Sequence, residues 1–325
     1  MLNIINKTLE ILNINREWQE RYAGYLSDIW SNHDKTNKGF VKPQGLSVYT
    51  TVGDRNTKNY YLRFKGQNVG KVRVGRNGKV TLQSIVEEST SHEIKGCPLK
   101  YKEVVDWDSA DATQFRAFFK NLSLETKTKS PEHEVENALL KEFRKRTRVE
   151  KVLHNIQPIL LHRCFFQMPT PLKASTHVPT YAEHSGGGID MLARIKTKEN
   201  GHSRLCVIEI KDENIASESQ KVAMSQAITY ATFVAKLLTE QPDWMEFFMG
   251  HKTKLGRNSS SLDTYDIEVV TIMPEGNTET FQDEILNIPG TNFKLHCHSL
   301  YYNRQKFLET HDFEFSGTFI DEIKK

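Results

Sequence analysis

Apolar positions recur at helical spacing over the first 30 residues: Leu2, Ile5, Leu9 and Leu12 form one stripe, and Trp18, Tyr22, Tyr25, Leu26 and Ile29 a second. Side chains three and four residues apart share one face of a helix, so two short helices are predicted. From Gly45 the period shortens. LSVYTTV, NYYLRFK, VGKVRVG and KVTLQSIV are short, rich in β-branched and aromatic residues, and broken by glycine, which predicts a small antiparallel sheet. Asn77-Gly78 predicts a two-residue hairpin turn between the last two strands. DSADATQFRAFFKNL then predicts a helix that buries Phe115, Phe118 and Phe119.

The polar stretch SLETKTKSP, residues 123 to 131, marks the expected boundary between an N-terminal α+β domain of unknown role (1–122) and a second domain (123–325). Beyond it Ser130 can cap a helix with Pro131 in its first turn. Glu132 and Glu134 sit there where the helix dipole favours anions, and Val135, Leu139 and Phe143 form the apolar stripe. The predicted order is then strand (RCFFQMPTP), strand (IDMLARIKT), turn (KENGH), strand (RLCVIEIKD), helix (SESQKVAMSQAITYATFVAKLLT) and two strands (YDIEVVTIMPE, FKLHCHSLYYN). A helix, a three-stranded meander, a second helix and further strands make an α/β sandwich around a mixed sheet.

The chain is 325 residues long and 38% hydrophobic, enough to bury one large or two ordinary cores and to exclude collagen-like, coiled-coil and fully disordered classes. No window approaches 18 uninterrupted apolar residues, and MLNIINKTLE lacks the basic-then-apolar order of a signal peptide. A cytoplasmic protein without membrane association is expected. Cys97, Cys164, Cys206 and Cys297 include no CxxC pair, so neither a disulfide framework nor a cysteine zinc site is indicated. A net charge of +3 does not by itself announce a nucleic-acid partner.

Chemistry concentrates at Gly186-Gly187-Gly188-Ile189-Asp190 and, further on, Glu209-Ile210-Lys211. In VIEIK the side chains alternate, so Glu209 and Lys211 project from one face while Ile208 and Ile210 take the other. Antiparallel pairing through the KENGH turn can bring Asp190 beside Glu209. Two carboxylates and a backbone carbonyl form an oxygen-rich site suited to Mg²⁺, which keeps several waters and accepts phosphate oxygens. A lysine beside such an ion can orient a water for phosphodiester hydrolysis. The glycine run allows close approach of a phosphate or of a neighbouring segment.

These residues resemble the PD-(D/E)xK nuclease superfamily, with Asp190, Glu209 and Lys211 at its three signature positions and Ile189 where the signature has proline. Glu136 on the preceding helix matches the family's N-terminal helix glutamate, with Glu132 one turn earlier as the competing choice. Gln226 and Tyr230 on the following helix are similar to the QxxxY motif of RecB-like branches, one turn apart on one face. The resemblance covers roughly residues 130 to 300. It implies a restriction-endonuclease-like core and a Mg²⁺-dependent nuclease, with Mn²⁺ able to substitute. Asp190, Glu209 and the Ile210 carbonyl would bind metal, Lys211 would position the water, Glu136 would assist, and Gln226 and Tyr230 would order the site or the strand. Products would carry 5′-phosphate and 3′-hydroxyl ends. DNA is the expected partner, with RNA as the other candidate substrate and oligomerisation left open. The rival reading is a non-catalytic binding module that retains the fold.

Other signals are weaker. Lys141, Arg144, Lys145, Arg146, Arg148 and Lys151 make either a phosphate-tracking stripe, with Arg144, Arg146 and Arg148 as the expected contacts, or a solvated helix end. His296 and His298 share a strand face and are read as ordinary strand residues, since no further ligands are placed for a metal. Asp263 and Asp266 read as turn residues, His184 as a loop histidine, and Tyr49, Tyr60, Tyr61 and Phe64 as half-buried sheet aromatics.

Overall fold

The computed structural model describes residues 1–31, 45–52, 58–75, 78–87, 94–122, 131–145, 153, 155–161, 164–174, 178–183, 186–196, 203–212, 219–249, 265–276, 281–317 and 319–320. Its elements run α1 (Leu2–Ile14), α2 (Glu17–Ser31), β1 (Ser47–Thr50), β2 (Lys58–Phe64), β3 (Gln67–Val74), β4 (Val80–Ser84), β5 (Val104–Asp106), α3 (Ala110–Asn121) and α4 (Pro131–Arg144). There follow β6 (Ile156–Pro158), β7 (Leu160–Leu161), β8 (Cys164–Phe166), β9 (Leu172–Lys173), β10 (Thr180–Tyr181), β11 (Met191–Lys196) and β12 (Ser203–Ile210). The chain continues through α5 (Gln220–Glu240), α6 (Asp243–Met249), β13 (Tyr265–Pro274), β14 (Glu284–Asn287), β15 (Phe293–Tyr302), α7 (Arg304–Thr310) and β16 (Phe315–Ser316). The fold is mixed α/β, and no helix of the described residues is long and apolar enough to cross a membrane.

Contacts divide the chain into two compact units, one of residues 25–138 and 160–167, the other of residues 1–24, 139–159 and 168–325. The boundary expected at 122/123 is therefore not where the contacts divide, and the intervening residues 123–130 lie outside the described part.

The first unit holds a sheet in the order β5-β4-β3-β2-β1-β8-β7. Strands β1 to β4 pair antiparallel, as their sequences predict, and β5, which the sequence pattern does not predict, adds to β4 in the same sense. Val74 pairs with Val80 at the end of the β3–β4 ladder. The Gly75 N–H donates to the Lys79 carbonyl at 2.8 Å, and Asn77 of the expected two-residue turn lies outside the described residues. Helix α3, capped by the Ser109 side chain on the Ala112 N–H, presses Phe115 and Phe119 into a core with Tyr60, Leu62, Val72 and Leu82. Phe118 is only partly buried against it.

One strand changed sheets. RCFFQMPTP, expected in the second domain's meander, contributes β8 to this unit, parallel to β1 with Tyr49 opposite Phe165. All three β8 side chains are buried, and the Tyr49 and Phe165 rings lie 5.3 Å apart, so an apolar run with aromatic partners on β1 outweighs chain proximity to the later strands.

The second unit holds the sheet β14-β15-β13-β12-β11-β6, with β16 also on β15. Strands β6, β11 and β12 form the antiparallel meander, and β13 and β15 continue from β12 in parallel. The meander's first strand is the three-residue β6, ending at Pro158. Proline cannot donate to a ladder, so this strand takes the edge and its sequence carries little strand signal. Helix α5 lies between layers. Its side chains are buried nearly all round, and Phe233 meets the rings of Trp18 and Tyr22 at 5.7 and 5.0 Å. These contacts bring α1, and α2 as far as Gly24, into this unit.

Candidate active site

The glycine run closes against the segment from Met168 to Leu172. The Gly186 and Gly187 N–H groups donate to the Thr170 and Leu172 carbonyls at 3.0 and 2.7 Å, and the Ile189 N–H donates to the Met168 carbonyl at 2.9 Å. A Cβ on Gly186 would lie 2.4 Å from the Leu172 carbonyl oxygen and 2.5 Å from that of Thr170, backbone atoms that cannot step aside. The run therefore admits a neighbouring segment, one of the two roles its composition predicts.

Asp190 ends that run immediately before β11. Met191 pairs with Ile208, so continuing the antiparallel register puts Asp190 opposite Glu209. The Asp190 Oδ2 accepts the Ile210 N–H at 2.9 Å. The N–H and C=O of a strand residue leave the same edge, so the Ile210 carbonyl shares Asp190's edge, while the Lys211 N–H turns the other way to the Ile272 carbonyl at 2.9 Å. Glu209 and Lys211 are 1% and 5% exposed, with Lys211 Nζ 2.9 Å from Glu209 Oε1. Asp190, Glu209 and the Lys211 ammonium leave one net negative charge. Hard oxygens with that surplus fit a divalent cation such as Mg²⁺, which uses one or two carboxylates and completes its shell with water or phosphate.

Helix α5 brings Gln226 and Tyr230 to the same place. Burial pushes the Tyr230 phenol well above its ordinary value and the Glu209 charge adds to this; a hydrogen bond from Gln226 opposes it, Asp190 raises it further and Lys211 lowers it. The phenol accordingly stays protonated at neutral pH. Its oxygen would be 2.0 Å from a Cβ on Gly187, so the glycine run also meets this helix.

Of the predicted site residues, Asp190, Glu209, Ile210, Lys211, Gln226 and Tyr230 thus gather within one unit. Glu136 belongs to the other. There it is 2% exposed, and Arg63 Nη1 lies 3.4 Å from its Oε1. The same guanidinium donates from Nε to Asn68 and from Nη2 to Gln167, each at 2.9 Å, and stacks 3.9 Å over Tyr49. The rival Glu132 is half-buried. Arg144 is exposed in the last turn of α4; Arg146, Arg148, His184 and Asp263 lie outside the described residues. Tyr49, Tyr60 and Phe64 are more deeply buried than expected, at 2%, 1% and 5% exposure.

The histidines of β15 lie on the sheet face opposite Glu209. His296 Nε2 is 2.9 Å from Asp266, and His298 sits between Asp283 at 3.0 Å and Glu268 at 3.1 Å. Arg204 Nη1 pairs with Glu268 at 2.7 Å. Asp266 is consequently a strand residue in an ionic network, not a turn residue. Among the described residues no group of three or more His, Cys, Asp or Glu side chains is arranged to hold a metal ion. Sequence reasoning missed Arg63 and also Gln220, the first residue of α5.

Comparison of the chain with protein-family models, with curated proteins and with solved structures finds no match.

Proposed function

We propose that the chain is a Mg²⁺-dependent nuclease that hydrolyses phosphodiester bonds, with DNA as its substrate, and that its second unit is a restriction-endonuclease-like core. The observation that carries this reading is the juxtaposition of Asp190 on the Ile210 N–H with the Glu209–Lys211 pair, beneath Tyr230. The order helix, antiparallel meander, helix, parallel strand also agrees with the resemblance.

Asp190, Glu209 and the Ile210 carbonyl would hold the ion, whose charge would polarise the scissile phosphate. The Ile210 N–H fixes one Asp190 oxygen. Lys211, buried and paired with Glu209, donates hydrogen bonds that orient the attacking water and stabilise charge developing on the phosphate. Tyr230 remains a neutral donor, held by Gln226. Arg144 would lie along the nucleic-acid path at the end of α4, with Arg146 and Arg148 following it in sequence. Incubating the protein with linear and circular DNA and with RNA, in Mg²⁺, Mn²⁺ or EDTA, tests this reading. Metal-dependent cleavage of DNA supports it; intact nucleic acid under every condition refutes it.

A further inference from the structure

Gln220 is the first residue of α5 and is completely buried. Its Oε1 accepts the Phe281 N–H at 2.9 Å and the Tyr301 hydroxyl at 2.5 Å, and its Nε2 donates to Ser299 Oγ. Ser299 Oγ is in turn 3.3 Å from Thr271 Oγ1. In the parallel ladder Ser299 pairs with Thr271 and Thr271 with Glu209, so these three residues form a row across the sheet face that α5 covers. A polar row at full burial weakens a core unless every group is bonded, and an apolar row would pack the same space without that condition.

The middle of α5 packs mainly through apolar side chains. Ala227, Ile228, Ala231, Phe233, Val234 and Leu238 are buried apolar residues, and apolar packing is non-directional. Yet the helix must place Tyr230 against Gly187 within the space of one hydrogen atom. A slip of one residue would shift it by about 1.5 Å and rotate it by about 100°. The Gln220 amide, bonded to β15 and to the chain before β14, supplies the directional restraint.

We infer that Gln220 is a positioning residue, locking the register of α5 so that Gln226 and Tyr230 stand over Asp190, Glu209 and Lys211. The assignment rests on the nuclease reading of that site. Gln220→Met keeps the side chain's length and removes its hydrogen bonds, whereas Gln220→Glu keeps both acceptor bonds and lets Ser299 donate to the second oxygen.

The test combines hydrogen exchange with steady-state cleavage of DNA by the full chain. In Gln220→Met, amides of residues 222–230 should exchange about tenfold faster while β13 keeps its protection, because opening is local. kcat should fall about tenfold to a hundredfold, as expected for a small misplacement of site groups, with KM nearly unchanged. Gln220→Glu should recover both. Exchange and kcat equal to the unaltered protein's would overturn the assignment, and so would exchange that rises equally through β13, the mark of a merely stabilising residue. If Gln220→Met does not fold, Ser299→Ala is read by the same criteria. An unaltered protein that cleaves nothing removes the nuclease reading, and the exchange comparison then decides the register lock alone.

Discussion

A Cβ on Gly187 would lie 2.0 Å from the Tyr230 hydroxyl oxygen and 3.0 Å from its Cζ. The loop before β11 and the middle of α5 therefore meet with room for a hydrogen and nothing larger. This contact ties the segment that delivers Asp190 to the helix that delivers Gln226.

Gly187→Ala should destabilise the protein by about 1–3 kcal/mol, the usual range for overpacking. Tyr230→Phe removes the clashing oxygen, so the double variant should be more stable than the sum of the two losses, with a coupling of about 0.5–3 kcal/mol. Urea unfolding of the four proteins measures this. Additive losses would mean that the two residues do not meet as described.

Much of this site was legible because its determinants are local. Alternation puts Glu209 and Lys211 on one face, β11 pairs with its neighbour in sequence, β12, and one helical turn separates Gln226 from Tyr230. What escaped depends on partners distant in the chain. Cys164–Phe166 read as a strand, but its choice of β1 over β11 turns on the ring of Tyr49. The three-residue β6, ending at Pro158, carries no strand pattern of its own. Glu136 read only as a match to the family's helix glutamate because nothing near it in sequence announces Arg63, and Gln220 read as one more helix residue because its three partners lie on β15 and the chain before β14.

Glu136→Ala should remove the counter-ion of a guanidinium that is 9% exposed and lower stability by about 3 kcal/mol. Glu136→Gln, which keeps an acceptor for Arg63, should lose less. Thermal or urea unfolding separates the two; a fully stable Glu136→Ala would show that Arg63 is satisfied by Asn68, Gln167 and Tyr49 alone.

The ionic network on the opposite sheet face sets an acid limit. Burial opposes ionisation of Glu268, but hydrogen bonds from His298 and Arg204 outweigh it and hold the carboxyl below its ordinary value. A depressed folded value contributes stability that is complete above the unfolded value, about 4.3 for glutamate, and disappears as pH falls through the folded one. Stability should thus decline below about pH 4 more steeply in the unaltered protein than in Glu268→Gln. Parallel acid-unfolding curves for the two would contradict this role.

Lys211 cannot ligate a metal while protonated, so its removal should leave Mn²⁺ affinity unchanged or raised, since a competing charge has gone. Glu209→Ala should weaken the same binding. Calorimetric titration of Mn²⁺ into Lys211→Ala and Glu209→Ala distinguishes them, and equal loss in both would make the lysine structural.

The most direct measurement is cleavage of end-labelled linear and circular DNA in Mg²⁺ by the unaltered protein beside Asp190→Asn, with folding of each checked by circular dichroism. Asp190→Asn keeps an acceptor for the Ile210 N–H, which the aspartate bonds at 2.9 Å, but removes the negative charge that would hold the cation. The account predicts metal-dependent cleavage by the unaltered chain, leaving 5′-phosphate ends, and its loss in the folded variant; equal cleavage by both proteins, or none by either, would contradict it.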